Sequence, residues 1–198
     1  VEIANLTGVR HALAVNSLTA AYHLAFLALD IQRGDEIVLP SYFEPAALSA
    51  LRQAGGTPVL ADVAEGSLFS SVDEIKTRIT DKTRAIVVAH TFGFHAPMGE
   101  LREIGVPLIE DASHAIGSEC DERPAGQSGA ISVISFAPSM VITTGNGGMV
   151  LTDNSRYFSA MRELRGGPTP ERIGFDYTMT DFQAAMGLSQ LSRLPDFI

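Results

Sequence analysis

Seven short runs along this chain are rich in aliphatic and β-branched residues: RHALAV (10–15), DEIVLP (35–40), TPVLADV (57–63), RAIVVAH (84–90), VPLIED (106–111), AISVISF (130–136) and GMVLTD (148–153). Each is bounded by turn-forming residues, and runs of this length and composition predict strands. Helical patterns separate most of them. SLTAAYHLAFLALD (17–30) is apolar on most faces and opens after Asn16 and Ser17, whose side chains can cap the free N–H groups of a first turn. EPAALSALRQAGG (44–56) has Pro45 near its start and Gly55-Gly56 at its end, the usual helix start and stop signals. SVDEIKTRI (71–79) and MGELREI (98–104) are shorter and amphipathic. Strand and helix alternating in this way predict an α/β domain with a mostly parallel sheet flanked by helices, because a parallel crossover needs a helix-length connection. Further along, NSRYFSAMRELR (154–165) predicts a surface helix, GGPTPERIG (166–174) a Gly/Pro loop, and TMTDFQAAMGLSQLSRL (178–194) a helix capped near Thr180 or Asp181.

Composition narrows the class. Of 198 residues, 45% are hydrophobic and 19% charged, which describes a globular chain with a real core. The formal charge of -9, with no basic run, argues against nucleic acid as a partner. No apolar stretch approaches the roughly 20 residues of a membrane span, and the single cysteine, Cys120, has no internal disulfide partner. With no secretory signal, a cytoplasmic location is expected. The chain lacks an initiator Met and stops at LPDFI, so it is also expected to be a piece of something longer.

Ligands of open α/β sheets sit at the carboxyl ends of strands, so the residues just after each apolar run carry the candidate chemistry. Asn16-Ser17-Leu18-Thr19 opens a helix after a strand, where free N–H groups and hydroxyls favour an anion; a plain helix cap is the alternative. Glu110-Asp111 ends another strand, with His114 three residues on. A carboxylate there can hold a protonated ring nitrogen, or Asp111 can simply cap a short turn. His90 ends a strand in the same way and carries no assignment alone. TTGNGG (143–148) can cradle a phosphate, but Asn146-Gly147 between two β-rich runs is first a hairpin signal. The five histidines show no paired metal-ligand spacing.

Taken in order, GVRHALAVNSLTAAYHLAFLALDIQRGDEIVLPSY, GGTPVLADV, ITDKTRAIVVAHTFG, IEDASHAIGS, SFAPSM, TTGNGGMVLTD and YTMTDFQAAMGLSQLSRL resemble the DegT/DnrJ/StrS family of sugar aminotransferases. That resemblance implies the large domain of the type I fold, with residues 1–198 forming a partial cofactor-binding domain that lacks the C-terminal small domain. It implies pyridoxal phosphate as the family cofactor and a keto-sugar nucleotide as the family substrate. Asp111 then occupies the place that pairs with the pyridine nitrogen, and His114 the place near the ring hydroxyl. Ser135 and Thr19 fall where phosphate ligands are expected.

The family lysine that forms the imine with the cofactor falls at Met140. A thioether can neither form an imine nor accept a proton at neutral pH. Loss of a positioned base alone removes about 10² to 10⁴ in rate. Leu18 replaces a family Gly near the phosphate turn. Glu44 falls where an aromatic residue stacks on the ring, with Phe43 beside it, and Asp176 falls where an Asn reaches across a dimer interface. The resemblance therefore implies a pseudoenzyme or binding subunit, dimeric or paired with a full-length homologue. Its rivals are an active aminotransferase or dehydratase-like enzyme using a partner chain, and a fragment without function.

Overall fold

The computed structural model describes residues 1–120, 122–170 and 173–198, and in it all seven predicted runs join one sheet. The strands are β1 (His11–Val15), β2 (Glu36–Pro40), β3 (Thr57–Ala61), β4 (Thr83–Ala89), β5 (Leu108–Asp111), β6 (Glu119–Cys120), β7 (Arg123–Pro124), β8 (Ile131–Ser135) and β9 (Gly148–Thr152). The sheet order is β1-β9-β8-β5-β4-β2-β3, while β6 and β7 form a separate small hairpin that the hydrophobic pattern does not predict. Helices α1 (Glu2–Thr7), α2 (Leu18–Ala28), α3 (Pro45–Ala54), α4 (Val72–Arg78), α5 (Met98–Arg102), α6 (Ser155–Arg165), α7 (Asp181–Leu191) and α8 (Leu194–Phe197), with a 3-10 turn at Thr91–Gly93, complete the described elements. The expected Gly/Pro loop at 166–174 lies in part outside the described residues, at positions 171 and 172.

Strand direction decides where a site can form. β2–β3, β2–β4, β4–β5 and β5–β8 pair parallel, and β9 runs antiparallel to both β8 and β1. β1 therefore points the same way as β8, and every strand of this sheet except β9 delivers its carboxyl end to one edge.

Alternate residues of each central strand enter different cores, as the two-residue period of a strand requires. Ile37, Leu39, Ala85, Val87, Ile109, Ile131 and Val133 share a cluster with residues of α2, α3 and α6. On the opposite face, Val38, Ile86, Val88 and Leu108 pack with Ile75 of α4 and Met98 and Leu101 of α5, and Ile134 and Leu151 pack with Ile3 and Leu194. Burial on both faces explains why these strands read as nearly continuous apolar runs. Burial also accounts for the all-round apolar character of α2, in which Leu18 and every residue from Ala20 to Phe26 are buried.

The predicted helix signals operate locally. The Ser17 hydroxyl accepts the Ala20 N–H at 3.1 Å, Asn154 Oδ1 accepts from Arg156 at 2.9 Å, and Thr180 and Gln183 form a reciprocal capping box. One expectation needs correction. β8 and β9 do pair as a hairpin, but Asn146-Gly147 does not alone connect them; the connection runs from 136 to 147. Among the described residues, no helix is long and apolar enough to cross a membrane, and no cluster of His, Cys, Asp and Glu is arranged to hold a metal.

Candidate functional site

The carboxyl edge of the sheet gathers the candidate residues. Ser17, Leu18 and Thr19 follow β1, Tyr42 to Pro45 follow β2, His90 to Phe92 follow β4, Asp111 to His114 end or follow β5, and Ser135 to Met140 end or follow β8. Between these segments lies a cavity of about 170 Å³ lined by Tyr42, Phe43, Glu44, His90, Phe92, Asp111, Ser113 and His114, among others. Asp111 and His114 thus face one space, and Phe43 and Glu44 both border it. Leu18, Thr19, Ser135 and Met140 do not line that cavity.

Asp111 sits in the centre of this arrangement. It is 5% exposed, and the neighbouring β4 places Ala89 directly beside it. Its Oδ1 accepts the Ser113 N–H at 2.9 Å, which is the local cap considered above. Its Oδ2 accepts the Tyr22 hydroxyl at 2.6 Å. Tyr22 comes from the buried face of α2, is fully enclosed, and stacks on Phe26 with ring centroids 6.0 Å apart. Burial first, then the Asp111 and Glu44 carboxylates, push the Tyr22 phenol well above its ordinary range, so it keeps its proton and donates. The sequence pattern assigns Tyr22 only to an apolar helix. The available signal was chemical: a buried tyrosine hydroxyl requires a partner.

From Asp111 the hydrogen bonds continue along the edge. The Ser113 hydroxyl accepts the Ser135 N–H at 2.9 Å, and the Ser135 hydroxyl accepts the Ala137 N–H at 3.2 Å. Ser135 is buried at the end of β8. Met140 lies five residues further on, half-buried in a turn closed by its own N–H to the Ala137 carbonyl at 3.1 Å. Thr19 is half-buried in the first turn of α2, whereas Leu18 is 7% exposed and belongs to the main core. Gly148 brings the end of the 136–147 connection against this helix start, since a Cβ there would stand 2.7 Å from the Ser17 carbonyl oxygen. Asp176 is exposed and its backbone carbonyl accepts from Asn16 Nδ2 at 3.1 Å, beside the same helix start.

The cavity wall is aromatic. Phe92, 62% exposed and at φ +54°, lies parallel to the His114 ring at a centroid distance of 5.6 Å and donates its N–H to His114 Nδ1 at 3.2 Å. A non-glycine residue in that backbone region costs of order 1 kcal/mol or more and marks a constrained segment. Tyr42 approaches the Phe92 ring at 6.3 Å.

Behind the cavity, His90 and Glu110 form a buried pair at 2.9 Å, each side chain 1% exposed. His90 Nδ1 accepts the Ala96 N–H, so its Nε2 carries the proton donated to Glu110. Glu110 also accepts the N–H groups of Gly126, Ser128 and Gly129 and the Ser132 hydroxyl. Burial acts to raise the Glu110 carboxyl, but the His90 and backbone donors outweigh it and hold the group below its ordinary range. The pair thereby fixes the segment that leads into β8.

Both lysines lie elsewhere. The chain contains only Lys76 and Lys82. Lys82 precedes β4, and its carbonyl accepts the Glu36 N–H at the start of β2, the opposite edge of the sheet. The strand from Lys82 to Ala89, beside Asp111, spans roughly 23 Å at the usual rise per residue.

Known proteins share this architecture and sequence. A GDP-perosamine synthase from Caulobacter vibrioides is 36% identical over 206 residues, covering 98% of this chain and 56% of the relative. An aminotransferase from Psychrobacter cryohalolentis superposes with a TM-score of 0.92 at 30% identity, covering 98% of this chain and 55% of the other. The PLP-form of Spr1654 from Streptococcus pneumoniae shares the fold, with a TM-score of 0.92 at 24% identity over 98% of this chain and 58% of that one. The chain thus spans little more than half the length of these relatives. Residues 1–198 match the family model in full, and the chain belongs to the DegT/DnrJ/EryC1/StrS aminotransferase family.

Proposed function

We propose that this chain is a sugar-aminotransferase homologue that does not transaminate and serves as a binding or pairing subunit in nucleotide-sugar chemistry. Met140 at the family lysine place carries the reading. Neither Lys76 nor Lys82 can replace that lysine, because Lys82 precedes β4 at the far edge and Lys76 belongs to α4, which leads towards that edge.

The residues present do not fit pyridoxal phosphate held as an imine. A primary amine is missing from the carboxyl edge, Glu44 brings a carboxylate to the cavity wall, and Asp111 already holds two protein donors. A nucleotide sugar as ligand is supported by the name of the Caulobacter vibrioides relative.

Pairing has separate support. None of the residues of α7 is buried, and Phe182 and Leu188 are 75% and 58% exposed. Apolar side chains so presented on one helix favour a covering partner, either a second copy or a full-length homologue.

Borohydride reduction of the purified protein with added pyridoxal phosphate, followed by mass analysis, tests the loss of transamination. No cofactor adduct is expected, and the visible spectrum should lack an imine band. A stoichiometric adduct on Lys76 or Lys82 of this chain would overturn the proposal.

A further inference from the structure

We infer that Tyr22 is an internal ligand of Asp111, a specificity-determining residue whose hydroxyl satisfies the buried carboxylate from within and selects against ligands that would bring a protonated ring nitrogen. The inference rests on the functional reading above and names the residue that enforces it.

A carboxylate that is 5% exposed needs donors, because burying it unpaired is strongly unfavourable. Either a ligand or the protein can supply them. Here the protein does: Tyr22 at 2.6 Å on Oδ2 and Ser113 at 2.9 Å on Oδ1. Each oxygen retains a second lone pair, so the bar to a ring nitrogen is energetic rather than steric. An unpaired buried carboxylate gains both a charge-assisted hydrogen bond and relief of its unmet desolvation from an incoming N–H, whereas one already holding two donors has had part of that relief supplied.

Tyr22 cannot readily swing aside. Its ring is fully buried in the main core cluster and stacks on Phe26, so any other rotamer would leave a void in close-packed surroundings. Its phenol stays protonated because burial and the Asp111 carboxylate both oppose ionisation. The donor is therefore permanent.

A double-mutant cycle on the ligand-free protein, read by urea unfolding, tests this. Tyr22→Phe and Asp111→Asn should each lower the folding equilibrium constant by about tenfold or more, with a coupling of similar size between them. If Asp111 were instead held for an absent ligand, Asp111→Asn would leave stability unchanged or raise it, as substitutions at functional sites often do. That result, or the absence of coupling, would overturn the inference. Should Tyr22→Phe fail to fold, Tyr22→Leu, which fills the apolar site without a hydroxyl, replaces it in the cycle.

A second arm uses pyridoxine, which has the ring nitrogen but neither aldehyde nor phosphate, against its carbon-ring counterpart 3-hydroxybenzyl alcohol. Tyr22→Phe should bind pyridoxine at least about tenfold more tightly than the natural chain, and the carbon-ring compound no better. Equal pyridoxine binding by the two proteins would overturn the inference. Borohydride trapping reads the functional proposal and the coupling reads this one, so the two fail separately.

Discussion

Met140 and Asp111 stand at the same sheet edge, yet they limit the site in different ways. Met140 lacks a functional group; a thioether has no N–H and no useful basicity. Asp111 keeps its functional group and has it occupied by Tyr22. Restoring the amine alone therefore addresses half of the problem. Met140→Lys should improve pyridoxal phosphate binding by less than about tenfold, roughly 1.4 kcal/mol, in a titration followed by imine absorbance. Tight, borohydride-trappable binding by that single variant would show that the rest of the site is intact. Leu18→Gly, which the family pattern would suggest as a second repair, carries its own penalty: the side chain is buried in the main core, and emptying such a position costs about 2–5 kcal/mol.

The elements are legible to different degrees. Caps and strand runs depend on residues adjacent in sequence, and Ser17, Asn154 and Thr180 act where they are expected to. The 136–147 connection was obscured because Asn146-Gly147 is a strong local turn signal, while the actual length is set by contacts across the fold. Gln183 of α7 donates to the Asn146 carbonyl at 2.8 Å, tying that helix to the connection that carries Met140. The free side of α7 is where association is expected. Sedimentation should show self-association that weakens with Leu188→Glu, a substitution on a residue already 58% exposed and so compatible with folding. A monomer at high concentration, unchanged by the substitution, would count against pairing through this helix with a second copy.

At the scale of the whole molecule, acid should lower the stability of the protein over two pH ranges. His23, buried and bonded to the Tyr177 hydroxyl, has its pKa lowered from the usual 6.5 by burial. Both states are neutral above that value. As pH falls below about 6.5 the unfolded chain takes up a proton that the folded one resists, so stability declines. Glu110 acts lower on the scale. Its folded pKa lies below the usual 4.5, so its contribution is complete above that pH and is lost as pH falls further. Urea midpoints measured from pH 7 to pH 3 should trace both declines. His23→Gln should flatten the upper one. Glu110→Gln should reduce stability at pH 7 by about 3 kcal/mol, since it breaks a buried charged network, and flatten the lower one. A midpoint independent of pH between 7 and 5 would contradict the role given to His23.

Sequence by itself determined the seven strands, the main helices, the α/β class and the family, because each rests on local periodicity, caps or a long ordered pattern of residues. It also placed Met140 where the family resemblance expects a lysine and left Lys76 and Lys82 as the chain's two lysines, but only the fold shows Lys82 at the opposite end of β4. Tertiary structure alone decided who holds Asp111. Tyr22 lies 89 positions away in sequence and reaches the carboxylate only because β1 and β5 run the same way in one sheet, with α2 packed on its face. The pairing of His90 with Glu110 across neighbouring β4 and β5 was hidden for the same reason. A hydrogen bond between distant residues is fixed by strand order and register, and neither is written in any local stretch of the chain.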